Sequence, residues 1–351
     1  MSLHSTVAPA GLELPFLRAC RREAVPYTPV WLMRQAGRYL PDYRSIRERV
    51  SFLDLCRNSE LAAEVTINAA RFLDVDAAIV FADILLPLVP MGLGLRFEKG
   101  DGPVIERPLR TAAAIDALPQ VDVRDALSFV GKTIELTCAE LGDAVPTIGF
   151  AGAPFTLASY AIEGGSSRNF VATKTLMYTQ TRAWDSLMTY VADLTARYLM
   201  MQIDAGANAV QLFDSWVGCL TPDDYRRFVL PYTRRVIASL GSRVPVIYFG
   251  TDTATQLESI RTCGADVIGL DWRVDLDRAW EVIGEKIAVQ GNFDPVKLFA
   301  DPETIRHEVR TILARAGGRS GHIFNLGHGV LPGTPVDNVR TLIDAVHEYG
   351  K

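Results

Sequence analysis

Eight short apolar runs recur along this chain, and each is followed by a glycine or a polar group. They are PVWLM (29–33), AAIVF (77–81), TIGFA (147–151), AVQLF (209–213), PVIYF (245–249), DVIGL (266–270), IAVQG (287–291) and HIFNL (322–326). Each has strand length and is rich in β-branched or aromatic residues. They do not alternate polar and apolar, so both faces are expected to be buried, as in a parallel sheet. Between most of them, residues 173–204, 222–240, 252–263 and 302–315 carry apolar side chains at helical spacing. Pro302 suits the first turn of a helix. The repeated βα unit predicts an α/β fold, a single distorted (β/α)₈ barrel over 1–351. A doubly wound open sheet is the competing arrangement. The long gaps before the second and third runs imply extra helices or an excursion.

In such a barrel, the site forms at the C-terminal ends of the strands. Those ends carry Arg34 to Arg38, Asp83, Gly152 to Phe155, Asp214-Ser215-Trp216, Gly250-Thr251-Asp252, Asp271-Trp272, Asn292-Phe293-Asp294 and Gly327-His328-Gly329. That ring could hold an anion. The stretch 29–44 sharpens the point: between Trp31 and Arg57 stand six arginines, no lysine and three acids. The whole chain has a formal net charge of −5. Guanidinium forks match carboxylate or phosphate in bidentate geometry. A solvated face of arginines paired with acids is the competing reading.

The acidic balance argues against non-specific nucleic-acid binding, which needs a broad basic face. Five scattered cysteines with no CxxC pair fit a reducing compartment, the cytoplasm, better than a disulfide framework. The opening MSLHSTVAPAGLELPF shows no basic region followed by an apolar core, so no signal peptide is expected. Residues 77–95 imitate a membrane span. However, Pro87, Pro90, Gly92 and Gly94 break any helix, and Asp83 would be costly in lipid. A buried strand followed by a packed loop is expected there instead.

The chemistry of the ring is narrow. Five histidines and dispersed cysteines supply no zinc ligand set, so no metal site is expected. Ser215 lacks a nucleophile elbow, and a helix cap is its plainer role. Gly327-His328-Gly329 has the rhythm of a phosphate loop but no Walker lysine. Asp83 sits between AAIVF and ILLPLVP, where an unpaired carboxylate costs several kcal/mol. It reads either as a cap or ion-pair partner, or as a charge held for a cationic or NH-rich ligand. Tyr160 near Glu163-Gly164-Gly165 would not be singled out by itself.

At these residues the sequence resembles the uroporphyrinogen decarboxylase family. PVWLMRQAGRYLP, FADIL, GFAGAPFTLASYAIEGG, QLFDSW, GLDW, QGN-D-P and NLGHGVLPGTP occur in that family's order and spacing, over nearly the whole chain. The resemblance implies a distorted (β/α)₈ barrel acting as a homodimer with no metal or organic cofactor. The implied substrate is uroporphyrinogen III, whose four acetates become methyls to give coproporphyrinogen III and carbon dioxide in haem or chlorophyll synthesis. Carried over position by position, Arg34 and Arg38, with the loop backbone through Gln35, Ala36 and Gly37, would bind substrate carboxylates. Asp83 would face the pyrrole NH groups, and Tyr160, Ser215 and His328 would bond peripheral acid groups. Asp83 and Arg34 would carry catalysis, with the proton donor open between Arg34 and His328. Gly250-Thr251-Asp252 departs from the Lys-Gly that many members carry, which puts a peripheral contact in doubt. A corrinoid-dependent methyltransferase of the same superfamily and a non-catalytic tetrapyrrole binder are the rival readings.

Overall fold

The computed structural model describes residues 14–98 and 102–351; most of the segment read for a signal peptide lies outside them. Among the described residues nine strands form: β1 Ala78–Ile79, β2 Leu95–Glu98, β3 Gly102–Ile105, β4 Thr147–Gly152, β5 Ala209–Asp214, β6 Val246–Gly250, β7 Val267–Gly269, β8 Ala288–Gln290 and β9 His322–Ile323. Seven of them make one sheet in the order β1-β4-β5-β6-β7-β8-β9, and every neighbouring pair is parallel. These are seven of the eight expected runs. β4 and β6 are buried at every position, which accounts for their unbroken apolar sequence.

The first run departs from expectation. PVWLM makes no ladder, only an isolated parallel bridge between Val30 and Phe324. The cause lies in where its backbone donors go. Pro29 has no N–H. Val30 N–H donates to Asp76 Oδ2 (2.7 Å), Leu32 N–H to Gln35 Oε1 (3.3 Å) and Met33 N–H to Asn325 Oδ1 (3.1 Å). Even so, the run closes the ring. On one side Phe324 N–H donates to Pro29 O (2.8 Å) and Trp31 N–H to Phe324 O (3.3 Å); on the other, Asp76 N–H donates to Val30 O (2.8 Å). The result is a (β/α)₈ barrel with one stave held by a mixture of backbone and side-chain bonds rather than by a ladder. Its interior is also tied across. Trp31 Nε1 donates to Gln290 Oε1 (3.0 Å), and Gln290 Nε2 donates to Gln211 Oε1 (3.1 Å).

The expected helices form with breaks. Residues 173–204 become Val171–Thr179 and Thr181–Asp204, parted at Gln180, whose φ is −131°. Residues 222–240 become Pro222–Phe228 and Leu230–Leu240, with Pro231 in the first turn of the second. A proline there cannot continue the preceding helix. Residues 252–263 shrink to a 3₁₀ turn, Ala254–Gln256, and the short helix Leu257–Ile260. The last of the expected helices runs Pro302–Ala316, and Asp301 caps it by accepting from Thr304 N–H. The gap before β1 holds helices Pro41–Arg47, Phe52–Arg57 and Ser59–Leu73. The gap before β4 holds the antiparallel pair β2–β3 and the helix Ser128–Leu141. In residues 77–95, β1 is followed by the 3₁₀ helix Leu86–Met91, with Pro90 inside it. No helix among the described residues is long and apolar enough to cross a membrane.

Candidate active site at the barrel mouth

Alternation within β5 locates the floor of the mouth. Gln211 points into the barrel, since it bonds Gln290 across it. Phe213, two residues on, shares that face one layer nearer the C-terminal end. Phe213 packs edge-on against Phe150 of β4 (5.5 Å between centroids) and Phe249 of β6 (5.9 Å). Phe213 keeps a solvent-accessible edge where its two partners are buried. The floor is therefore aromatic, and the rim above it is charged.

Arg34 begins the rim. It is exposed and adopts a left-handed backbone, φ +60°. A non-glycine residue in that region costs about 1–2 kcal/mol, so neighbouring structure must hold it there. Two glycines do so by having no Cβ. A Cβ on Gly37 would lie 2.7 Å from Arg34 O, and one on Gly329 would collide with the Arg34 side chain. Val330 N–H also donates to Met33 O (2.9 Å), tying the β9 loop to this one. The Gln35 backbone, contrary to expectation, is not free to meet a ligand. Its side chain is fully buried between Leu32 N–H and Ala77 O, and its own N–H donates to Leu32 O. It shapes the loop instead, helped by Tyr39, whose hydroxyl donates to Gln35 O (2.6 Å). By contrast, the N–H groups of Ala36, Gly37 and Arg38 meet no acceptor among the described residues. Arg38 is exposed. Three free backbone donors thus accompany two guanidinium groups.

Asp83 follows β1. Its Oδ1 accepts from Leu85 N–H (2.8 Å), and Oδ2 has no hydrogen-bond partner among the described residues. The residue keeps partial solvent contact, yet the protein around it strips most hydration from the carboxylate. Burial raises its pKa to about 6, against the Leu85 bond and the Arg34 charge, which both lower it. Both bland alternatives are thus partly present: a local turn bond and an arginine near enough to be felt. Neither takes up the second oxygen.

Tyr160 lies on the helix Pro154–Glu163, nearly buried, its ring 5.6 Å from that of Trp216. Burial and then the Asp83 charge push its pKa up to about 12. Ser215 is partly exposed beside Trp216, and its carbonyl accepts from Thr251 Oγ1 (2.6 Å). It is not the cap of the following turn, a position that Trp216 holds. His328 sits between two glycines that allow close approach. Gly327 rides on the Asp271–Trp272 backbone, and Gly329 lies on Arg34. Burial lowers the His328 pKa to about 4, helped by the charges of Arg34 and Arg273. His328 is therefore a neutral imidazole at pH 7.

Two further groups at the mouth escaped the sequence reading. One is Phe213, hidden inside an apolar run. The other is Arg273, which follows Trp272 and forms ion pairs with Asp252 (2.9 Å) and Asp271 (2.7 Å). Its position directly after a strand end was the available signal. A separate polar cavity of about 170 Å³ lies between Trp272, Asn292 and the helix Pro302–Ala316, and its Lys297 and Arg315 are paired with Glu308 and Asp275. Among the described residues, no three His, Cys, Asp or Glu side chains are grouped to hold a metal ion.

The family model described as uroporphyrinogen decarboxylase (URO-D) matches residues 13–349. Proteins named uroporphyrinogen decarboxylase are similar along the chain. The one from Koribacter versatilis is 53% identical over 336 residues, covering 95% of each chain. The one from Carboxydothermus hydrogenoformans is 54% identical over 334 residues, again 95% of each. Among solved structures, a methyltransferase from Methanosarcina mazei superposes with a TM-score of 0.79 at 17% identity, covering 96% of this chain and 99% of that one. At that identity, the likeness speaks for the barrel alone.

Proposed function

This chain belongs to the uroporphyrinogen decarboxylase family, and from that premise we propose how its barrel mouth acts. The reaction is the decarboxylation of uroporphyrinogen in tetrapyrrole biosynthesis. The finer assignment is removal of carbon dioxide from the four acetates of uroporphyrinogen III, leaving methyls and coproporphyrinogen III. The observation that carries it is the half-satisfied carboxylate of Asp83 above an aromatic floor and beside Arg34.

The substrate and the mouth are complementary. A polyacidic macrocycle has carboxylates around its edge and pyrrole NH groups converging on its centre. Phe213 supports the ring face. Arg34 and Arg38, with the free N–H groups of Ala36, Gly37 and Arg38, hold peripheral carboxylates. Asp83 Oδ2 takes the central NH groups. Protonation of a pyrrole ring carbon makes that ring an iminium-like cation. The acetate C–C bond then breaks, its electron pair neutralises the iminium as an exocyclic methylene, and carbon dioxide leaves. A second proton on the exocyclic carbon makes the methyl, and loss of the first proton from the ring carbon restores the pyrrole. Asp83, ionised above about pH 6, stabilises the cation through a charge already in place. Tyr160 and Ser215 bond peripheral acid groups. His328 does the same as a neutral ring. With a pKa of about 4 it has little protonated form with which to deliver a proton at pH 7.

We read the chain as one barrel domain that works as a homodimer in the cytoplasm without metal or organic cofactor. The family supports the dimer, and five scattered cysteines with no CxxC pair support a reducing compartment. Anaerobic incubation with uroporphyrinogen III, followed by oxidation and chromatography, tests the activity. Porphyrins with seven, six, five and four carboxylates should appear in turn, and their absence would overturn the reading. Sedimentation of the same sample tests the dimer.

A further inference from the structure

Arg273 has no part in the mechanism above, yet its setting is built. Its guanidinium lies 4.0 Å over the Trp272 ring. Nη1 donates to Asp271 Oδ2 (2.7 Å) and Nε pairs with Asp252 Oδ1 (2.9 Å). The two carboxylates differ in kind. Asp271 is 2% exposed and also accepts from the N–H groups of Asp252 (2.6 Å) and Arg273 (3.0 Å), so it is fixed. Asp252 has a side chain 57% exposed, against 42% for Arg273, and its carboxylate has no second partner among the described residues. Arg273 Nη2 also lacks a partner among the described residues.

The place of this cluster matters as much as its bonds. Gly327 lets the β9 loop lie directly on the Asp271–Trp272 backbone, and Gly329 lets the same loop lie on Arg34. His328 is thus flanked by guanidinium groups from two different staves. Arg34 and Arg38 serve the side of the mouth at the first stave. Arg273 gives the β7 side a cation of its own.

We infer that Arg273 is a further substrate-binding residue, which takes a peripheral carboxylate on the β7 side of the mouth while Asp252 gives way as its exchangeable counter-ion. This inference rests on the proposed function. An exposed ion pair such as Arg273–Asp252 is cheap to open, because water screens it and two mobile side chains must be held to form it. The fork itself stays oriented, since buried Asp271 and the Trp272 ring hold it in both states. A bidentate carboxylate on an oriented fork is then a net gain.

Steady-state kinetics with uroporphyrinogen, alongside thermal unfolding, separate this from a purely structural latch between the β6 and β7 loops. Arg273→Met should raise KM about 5- to 20-fold with kcat within about twofold, and Arg273→Lys should recover part of the loss. Asp252→Asn keeps a residue that tolerates the left-handed backbone at this position, φ +58°. It removes the competing anion, so KM should fall about two- to threefold. A latch predicts the reverse, with Asp252→Asn raising KM or leaving it unchanged and both variants losing thermal stability. If Arg273→Met does not fold, the direction of the Asp252→Asn shift decides. Wild-type turnover is the control: without it the functional reading fails, whereas turnover with an unmoved KM in Arg273→Met overturns this inference alone.

Discussion

Asp83, after β1, and Asp214, at the end of β5, both lie past the middle of their staves in one barrel, and burial pushes both carboxyls to a pKa of about 6. Their surroundings make them opposites. Asp214 is fully buried, with Oδ1 accepting from Thr156 Oγ1 (2.7 Å) and Oδ2 from the Tyr248 hydroxyl (2.8 Å). Asp83 has one oxygen bonded to Leu85 N–H and the other free on the accessible side of the mouth. A closed carboxylate of this kind fixes architecture, whereas an open one waits for a donor. A raised pKa alone therefore does not distinguish a structural acid from a receptive one; the count of donors on each oxygen does.

Substitution should separate the two. In the largest effect, Asp83→Asn should lower kcat about 10²- to 10³-fold while thermal stability stays near wild type, because a preorganised charge is lost and no buried donor is orphaned. Near wild-type turnover in that variant would break the comparison on the functional side. Asp214→Ala should do the reverse. It strands two buried hydroxyls, so denaturant unfolding should show a loss of about 2–4 kcal/mol, with kcat of the folded fraction within about tenfold. The smallest effect is in the pH dependence. Burial raises the Asp214 carboxyl from 3.8 to about 6, so the folded state keeps a proton that the unfolded chain releases. The group's stabilising contribution is complete below about pH 4 and is lost as pH rises through about 6. The stability penalty of Asp214→Ala should therefore be larger at pH 4.5 than at pH 7.5, by at most about 3 kcal/mol. An equal penalty at both values would show that Asp214 is not held neutral.

Much of this was legible in the chain. The eight runs located the staves, and the family's motifs put forward Arg34, Arg38, Asp83, Tyr160, Ser215 and His328 as site candidates. The misses have specific causes. PVWLM reads as a strand by composition, but its donors go to Asp76, Gln35 and Asn325, partners 3 to 292 residues away. Gln35 sits inside the loop expected to bind carboxylates, yet its amide is used between Leu32 N–H and Ala77 O beneath Arg34. The β2–β3 hairpin fell in a segment with no strong periodicity. Arg273 is not singled out by the sequence, because only the fold brings Asp252 onto it beside Asp271 and Trp272.

What the sequence determined alone is the barrel and the residue types at its mouth, because strand-length apolar runs spaced by helices have few ways to bury both faces. What it could not determine is which side of the sheet each end residue serves. Fully buried strands carry no polar alternation to mark inside from outside. Phe213 and Asp214 are neighbours in sequence, but only the fold turns the ring toward the barrel mouth and the carboxylate toward Thr156 and Tyr248 in the layer behind.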